Sequence, residues 1–551
     1  MKDKKITPLI AVLRSSVRGE GNRIYYKATC LLKLQGSRSV MDTDKIRIDV
    51  PVRENIAQIS FRERYGKKMP KGFRLNEFEL CIDRSVAEEL DIQNKLVVNY
   101  DGSYNGRILY SLYDLKKGRN RNSEVFIKDG VAVYFRQSRY NSLTLTVRDA
   151  NQYDLPEGQA RIRRAYRKAM ASKKKRLGTG RAGLERSHDP ILMYEKNCSR
   201  YEESASVLYE KLIDQGYDNV WYVVNEDNPA IQELPEKYRK NLVWKDSDRH
   251  LELLFESDTY IATESTEHAL QLRVASKLVM DKIRSRDLRY VFLQHGVMYM
   301  VSLNSDMRTG FRNNDHDLQR TVVSSELEAR HFIDLAGMKR EDLYVTGLAK
   351  FDRSFRNEGA DRIIIMLTWR RWETNQARAD VSETAYYKMT ERIYNAVPDE
   401  LKDKVIILPH PLMADRFAGG ENGTEDSGMA AHIVTGQSYD RILRDCDLLI
   451  TDYSSIAYDA FYRGANVVFC WEEKDECMQH YGEGTYLMLN RDNVFGDVCM
   501  NEEELRESVA ANYGREQSEE NKARYGRIVE FRDGRNSERI IELLKKDGLL
   551  D

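Results

Sequence analysis

CDLLITDYSSIAYDAFYRG, residues 446–464, carries an apolar strand through a small polar turn and straight into an amphipathic helix. A short apolar run, a turn and a helix make up the repeating unit of a parallel sheet covered by helices. The same unit recurs on both sides. RIIIMLT (362–368) and VIILPHP (405–411) precede it and NVVFCW (466–471) follows. An earlier series opens at ILMYE (191–195) and passes through helical YEESASVLYEKLIDQG (201–216) and NVWYVVN (219–225). It continues in units around TYIAT, KLVM, YVFLQ and RTVVS. Two consecutive series predict two doubly wound α/β domains facing each other across a cleft, with ligand chemistry at the carboxyl ends of the strands.

Upstream the rhythm changes. KIRIDV, KLVVNY, RILYSLY, GVAVYFRQ and SLTLTVRD alternate apolar and polar positions between Gly, Asn and Asp turns, which predicts a small antiparallel sandwich or barrel. The expected division is residues 1–158 as a mainly-β accessory domain, 159–188 as a basic helix and linker, and 189–355 and 356–551 as the two Rossmann-like domains. In the linker, RIRRAYRKAMASKKKRLGTGRAGLER (Arg161–Arg186) holds eleven Lys or Arg and one acid, Glu185. Its first half predicts a helix ending near Gly178. Such density suits a solvated linker helix, and equally an anionic membrane surface or polymer. Nucleic acid is disfavoured, because no stacking aromatics are interleaved with the charges. AGGENGTEDSG (418–428) reads as a mobile surface loop, and the last fifty residues as helical and polar.

The 551 residues are 41% hydrophobic and 32% charged with a formal net charge of -1, so any affinity for polyanions must be local. Seven scattered cysteines without CxxC spacing read as reduced thiols. The nine histidines form no metal-ligand pattern, so no metal and no cofactor is expected. No stretch approaches the ~20 apolar residues a spanning helix needs. The expected location is therefore cytoplasmic, free or attached to a surface, and peripheral on the inner face of the cell membrane if the basic segment docks there.

Four loops end apolar strands and should project into the cleft. In YVFLQHGV, His295 follows a strand and precedes Gly296, which permits close approach of backbone or ligand. Neutral imidazole accepts a proton near pH 7 and suits an alcohol nucleophile. In VIILPHP, His410 has the same positional context between two prolines. Alone, each histidine reads as structural rather than catalytic; one per half is a less accidental pattern, and the pair reads as catalytic as readily as structural. In ITDYSS, Ser454 and Ser455 either cap the following helix or join its N–H groups in holding a phosphate. Asp459, one turn on, suits a ribose or polyol hydroxyl. Thr368 and Arg370 end another strand, where the arginine is a phosphate ligand or a surface residue. Lys350, in YVTGLAKFD between the halves, could neutralise a pyrophosphate. No GxGxxG, Walker or GxSxG pattern occurs, which argues against dinucleotide redox enzymes, simple NTPases and α/β-hydrolases.

Taken in order, QHG, TGLAKFD, TWR, PHP and ITDYSSIAYDAF resemble the CDP-glycerol glycerophosphotransferase family, the teichoic-acid primases and polymerases, over roughly residues 189–545. The resemblance implies a GT-B architecture, with residues 189–355 on the acceptor side and 356–551 binding the CDP-polyol. It implies His295 as general base and His410 as a contact to the transferred phosphate. Ser454 and Ser455 would hold the pyrophosphate and Asp459 a donor hydroxyl. The backbone from Gln294 through Gly296 and Val297 to Met298, Leu367 with Thr368, and Lys350 would complete the pocket. Gln294 stands where Trp is frequent, Lys350 where Arg is, and Leu367 where Pro is. Lysine keeps the charge but loses the bidentate fork.

The implied reaction is attack of an acceptor hydroxyl, on a lipid-linked saccharide or polyol-phosphate polymer, at the β-phosphorus of CDP-glycerol, with CMP leaving. Rivals are CDP-ribitol phosphate transfer, a GT-B glycosyltransferase using a nucleotide sugar, and a non-catalytic polymer-binding scaffold.

Overall fold

The computed structural model describes residues 7–35, 39, 41–49, 57–63, 73–83, 93–101, 104–109, 125–137, 142–178, 189–303, 316–373, 376, 380–410, 428–482 and 484–551. The expected Gly-rich loop at 418–427 and the end of the basic segment, 179–186, lie outside them.

The N-terminal region is two packed sheets. A long antiparallel hairpin, Thr7–Glu20 with Arg23–Gln35, forms the middle of a seven-stranded sheet. Gly21, at φ +57, lets the chain reverse between the two strands. Four strands, Gln93–Lys95, Leu143–Asp149, Val131–Gln137 and Phe126–Lys128, make the second sheet. Asp129 and Gly130, both with positive φ, give its hairpin the turn that matches strand twist. Alternate side chains point inward, so Tyr26 and Phe78 of the first sheet meet Phe135 of the second, the Tyr26 and Phe135 rings 4.5 Å apart.

Pro156–Gly178 is one helix, opened by a proline whose missing N–H costs nothing at that position. It buries Ile162, Ala165 and Ala169, and Tyr166 packs edge-on against Phe255. Eight of its nine basic residues fall into two sets. Arg161 pairs with Asp248 at 2.9 Å, Lys168 with Glu252 at 2.9 Å and Lys173 with Asp258 at 2.6 Å, docking the helix on the protein. Arg163, Arg164, Arg167, Lys174 and Lys175 are exposed.

The two predicted parallel sheets are present. The first has seven strands, ordered Leu242–Trp244, Val220–Val224, Ile191–Tyr194, Thr259–Ala262, Arg289–Phe292, Leu318–Val323 and Leu343–Val345. Its chain order reverses between Ile191–Tyr194 and Thr259–Ala262. The second has five strands, ordered Val405–Ile407, Arg362–Ile365, Cys446–Thr451, Asn466–Cys470 and Asp497–Cys499. It reverses between Arg362–Ile365 and Cys446–Thr451. Crevices open at the carboxyl ends of strands beside such reversals. KLVM, grouped by its apolar run with the strands, is instead part of the helix Lys277–Ile283. Four apolar residues do not distinguish a buried strand from a buried helical turn.

The halves are joined beneath the cleft. Ser302 N donates to Tyr486 O at 2.9 Å, Met488 N to Met300 O at 2.9 Å, and the Tyr458 hydroxyl to Tyr299 O at 2.6 Å. At the C-terminus the chain returns to the first half. Glu530 N donates to Ser324 O, and the helix Asn536–Lys546 docks there with Asp352 capping the N–H groups of Asn536 and Ser537.

Candidate active site

The strand Arg289–Phe292 runs into Leu293 and then Gln294, whose φ of +60 is left-handed. For a residue with a Cβ that conformation costs roughly 1–2 kcal/mol and needs an anchor. The anchor is its own side chain, fully buried, with Nε2 donating to Val322 O at 2.5 Å. Gln294 therefore turns into the sheet while His295, 46% exposed, turns out. Val297 is buried, and Met298 N donates at 2.7 Å to Glu328, a fully buried carboxylate that also takes the N–H and hydroxyl of Ser324. Burial pushes the Glu328 carboxyl up, and these donors oppose it.

Gly296 meets the opposite half. A Cβ there would lie 3.2 Å from Ser455 Oγ and 3.9 Å from Lys350 Nζ. Lys350 bridges the cleft, with Nζ 2.6 Å from Asp459 Oδ1 and donating to His295 O at 3.0 Å. Its side chain and that of Asp459 are each 12% exposed, and Arg463 Nη1 stands 4.0 Å from the same carboxylate. Removing one partner of a buried pair typically costs 3–5 kcal/mol. Lys350→Ala should therefore lose about 3 kcal/mol, the low end of that range because Arg463 remains beside Asp459. Adding Asp459→Asn should restore most of the loss; additive losses in denaturant melts would show that the pair is not coupled.

At the reversal of the second sheet, Asp452 is fully buried and accepts Thr368 N at 2.9 Å, Thr368 Oγ1 at 2.7 Å and Tyr453 N at 2.6 Å. Burial pushes its carboxyl up, against the pull of the Thr368 donors and the charge of Arg370. This carboxylate locks the Thr368 loop to the Ser454 loop. Ser454 and Ser455 are part-exposed, and Ser455 precedes the helix Ile456–Tyr462 without capping it through its side chain. That helix has only seven residues. His410 stacks on Trp369, ring centroids 5.3 Å apart, and its backbone N–H donates to the Tyr386 hydroxyl at 3.1 Å. Burial, reinforced by the charge of Lys196 from the first half, pushes its imidazole down to about 4.

The structure thus brings His295, Gly296, Lys350, Ser455 and Asp459 together. Thr368 is tied through Asp452 to the Ser454 loop. Leu367 lies in the core of the second half, 2% exposed. Arg370, expected near phosphate, is 3% exposed; it pairs with Glu473 and donates to Met389 Sδ at 3.1 Å, inside the protein rather than in the cleft. Glu264, Glu328 and Asp452 were not singled out from sequence. Glu264 and Asp452 directly follow strand-ending threonines, the signal that could have found them.

Two facing parallel sheets, with polar loops converging from the carboxyl ends of both, define the GT-B class of α/β proteins. Within it, the chain belongs to the CDP-glycerol:poly(glycerophosphate) glycerophosphotransferase family, whose model matches residues 183–546. It is 24% identical over 340 residues to the minor teichoic acid biosynthesis protein GgaB of Bacillus subtilis (strain 168), covering 58% of this chain. The match spans 35% of GgaB, about a third of that relative's length. A solved structure of the wall teichoic acid polymerase TagF superposes with a TM-score of 0.47 and 16% identity, covering 72% of this chain and 99% of that one.

Proposed function

We propose that the protein transfers glycerol phosphate from CDP-glycerol to a hydroxyl of a lipid-linked acceptor or growing teichoic-acid-like polymer. Family membership supports the donor. The observation that carries the reaction is the meeting of His295 and Gly296 from one half with Ser455 from the other, bridged by Lys350. The acceptor oxygen attacks the β-phosphorus, and its proton passes to His295. The bond from the β-phosphorus to the bridging oxygen breaks, and CMP leaves with that electron pair. Transfer of this kind depends on positioning and on stabilising charge over the phosphate oxygens. Lys350 supplies the cation, Ser454 and Ser455 supply hydroxyl donors, and His410 donates N–H as a neutral ring. Asp459, already bonded to Lys350, shares itself with a donor hydroxyl. Residues 189–355 form the acceptor side and 356–551 the donor side, with the last helix returning to the former.

Among the described residues no helix is long and apolar enough to cross a membrane. We assign membrane contact to the exposed bases Arg163, Arg164, Arg167, Lys174 and Lys175, each adding roughly 1 kcal/mol near an anionic surface. The bases paired with Asp248, Glu252 and Asp258 hold the helix to the protein instead.

The test is nucleotide release by the purified protein with CDP-glycerol, CDP-ribitol or UDP-sugars and a lipid-linked acceptor. CMP release from CDP-glycerol is the expected result. Preference for CDP-ribitol or a UDP-sugar would replace the donor, and no release from any would leave a polymer-binding scaffold.

A further inference from the structure

Beside the reversal of the first sheet, the strand Thr259–Ala262 runs on into Thr263 and Glu264. The Glu264 carboxylate lies between two imidazoles. Its Oε1 is 3.9 Å from His295 Nδ1 and its Oε2 is 3.7 Å from His268 Nε2. His268 is 8% exposed, and its Nδ1 accepts the N–H of Asn197 at 3.2 Å. A neutral imidazole has one N–H, so a ring accepting at Nδ1 carries its proton on Nε2, the nitrogen facing Glu264.

The supports of this arrangement are rigid. Asn197 and Cys198 are consecutive non-glycine residues at φ +52 and +54, an arrangement that holds only when its surroundings enforce it. Cys198 Sγ, fully buried, donates to the carbonyls of His268 and Ala269 at 3.4 Å, clamping the loop that aims the Asn197 N–H. Burial pushes the His268 imidazole down, with Lys196 and His295 acting in the same sense against Glu264 and Glu267. His268 therefore faces Glu264 as a neutral donor. His295 itself is met by Glu264 at Nδ1, and Lys350 takes its carbonyl.

We propose that Glu264 is a positioning residue that holds His295 in the Nδ1–H tautomer, leaving Nε2 as the basic nitrogen, with His268 steadying the carboxylate from behind. This rests on the reading of His295 as general base. The two separations exceed hydrogen-bond length by about 1 Å, and such contacts tighten when substrate closes a site. A carboxylate on Nδ1 orients the ring and stabilises the imidazolium that forms as the acceptor proton arrives, without itself taking the proton.

The experiment compares the full-length protein with Glu264→Gln, Glu264→Asp and His268→Gln. Long-range nitrogen–proton NMR of labelled histidine side chains, above the imidazole titration, reads the His295 tautomer without substrate. Wild type should show Nδ1–H, and Glu264→Gln should lose that preference, since an amide can donate to Nδ1 as readily as accept from it. In CMP release, Glu264→Gln should lower kcat roughly 100-fold with KM for CDP-glycerol within about threefold, because the loss falls on the transition state. Glu264→Asp should recover part of the rate. His268→Gln should lose about tenfold, as expected of an outer partner. An unchanged tautomer in Glu264→Gln, or a changed tautomer with kcat within about threefold, overturns the assignment. So does a loss of rate that Asp does not relieve. If wild type releases no CMP from CDP-glycerol, the donor reading fails, while the tautomer comparison still decides the role of Glu264.

Discussion

Replacing His295 by alanine should cut CMP release from CDP-glycerol about 1000-fold and leave the thermal midpoint unmoved. The expectation of an intact fold follows from where the loop's stability resides. The left-handed Gln294 is anchored through Val322 O and the Met298 N–H through Glu328, so the imidazole, nearly half exposed, bears none of the strain. The expectation for rate follows from its position. His295 is the imidazole next to Gly296, where the first half meets Ser455 of the second, and positioned bases typically contribute 10²–10⁴-fold. Steady-state release beside a thermal melt checks both parts. A folded variant with near-normal release would remove His295 from the role of base.

The largest effect on stability should come from Glu328→Ala. Its carboxylate accepts Ser324 N at 2.6 Å, Ser324 Oγ at 2.7 Å and Met298 N at 2.7 Å without access to solvent. Truncation orphans these donors, each costing about 1–3 kcal/mol, so a loss of roughly 4 kcal/mol is expected. Glu328→Gln should fall between, since it keeps one acceptor oxygen but turns an NH₂ toward a donor. Activity should fall with it, because the backbone leaving His295 is held there. Urea unfolding gives the measurement; a loss under about 1 kcal/mol would mean that water satisfies the abandoned groups.

The strand-and-helix rhythm of residues 191–499 was legible because its apolar runs are bounded by polar loops. So were the loops themselves, His295, Ser455 and Lys350 among them. Partners across the cleft were not, because a contact such as Gly296 with Ser455 joins residues far apart in the chain. Arg370 shows the limit from the other side. Ending a strand put it near the cleft in sequence, yet its guanidinium turns inward to Glu473, a residue with no sequence signal pointing to it. Glu264 and Glu328 were overlooked for a related reason. A lone acid after a strand or inside a helix is ordinary until a folded neighbour makes it a buried acceptor. The N-terminal hairpin was hidden because the run around Pro8–Leu13 reads as a few apolar residues without regular alternation, although Gly21-Asn22 marks its turn.

The return of the C-terminal helix to the first half has a mechanical result. The backbone passes between the halves twice, outward beyond Arg353, which pairs with Glu210, and homeward near Glu530. A body tethered by one cord swivels about any axis, whereas two cords leave free only rotation about the line through them. Any opening of the cleft is thereby limited to a jaw-like swing. The histidine loop and the serine loop are held to one register, the one in which Lys350 reaches Asp459.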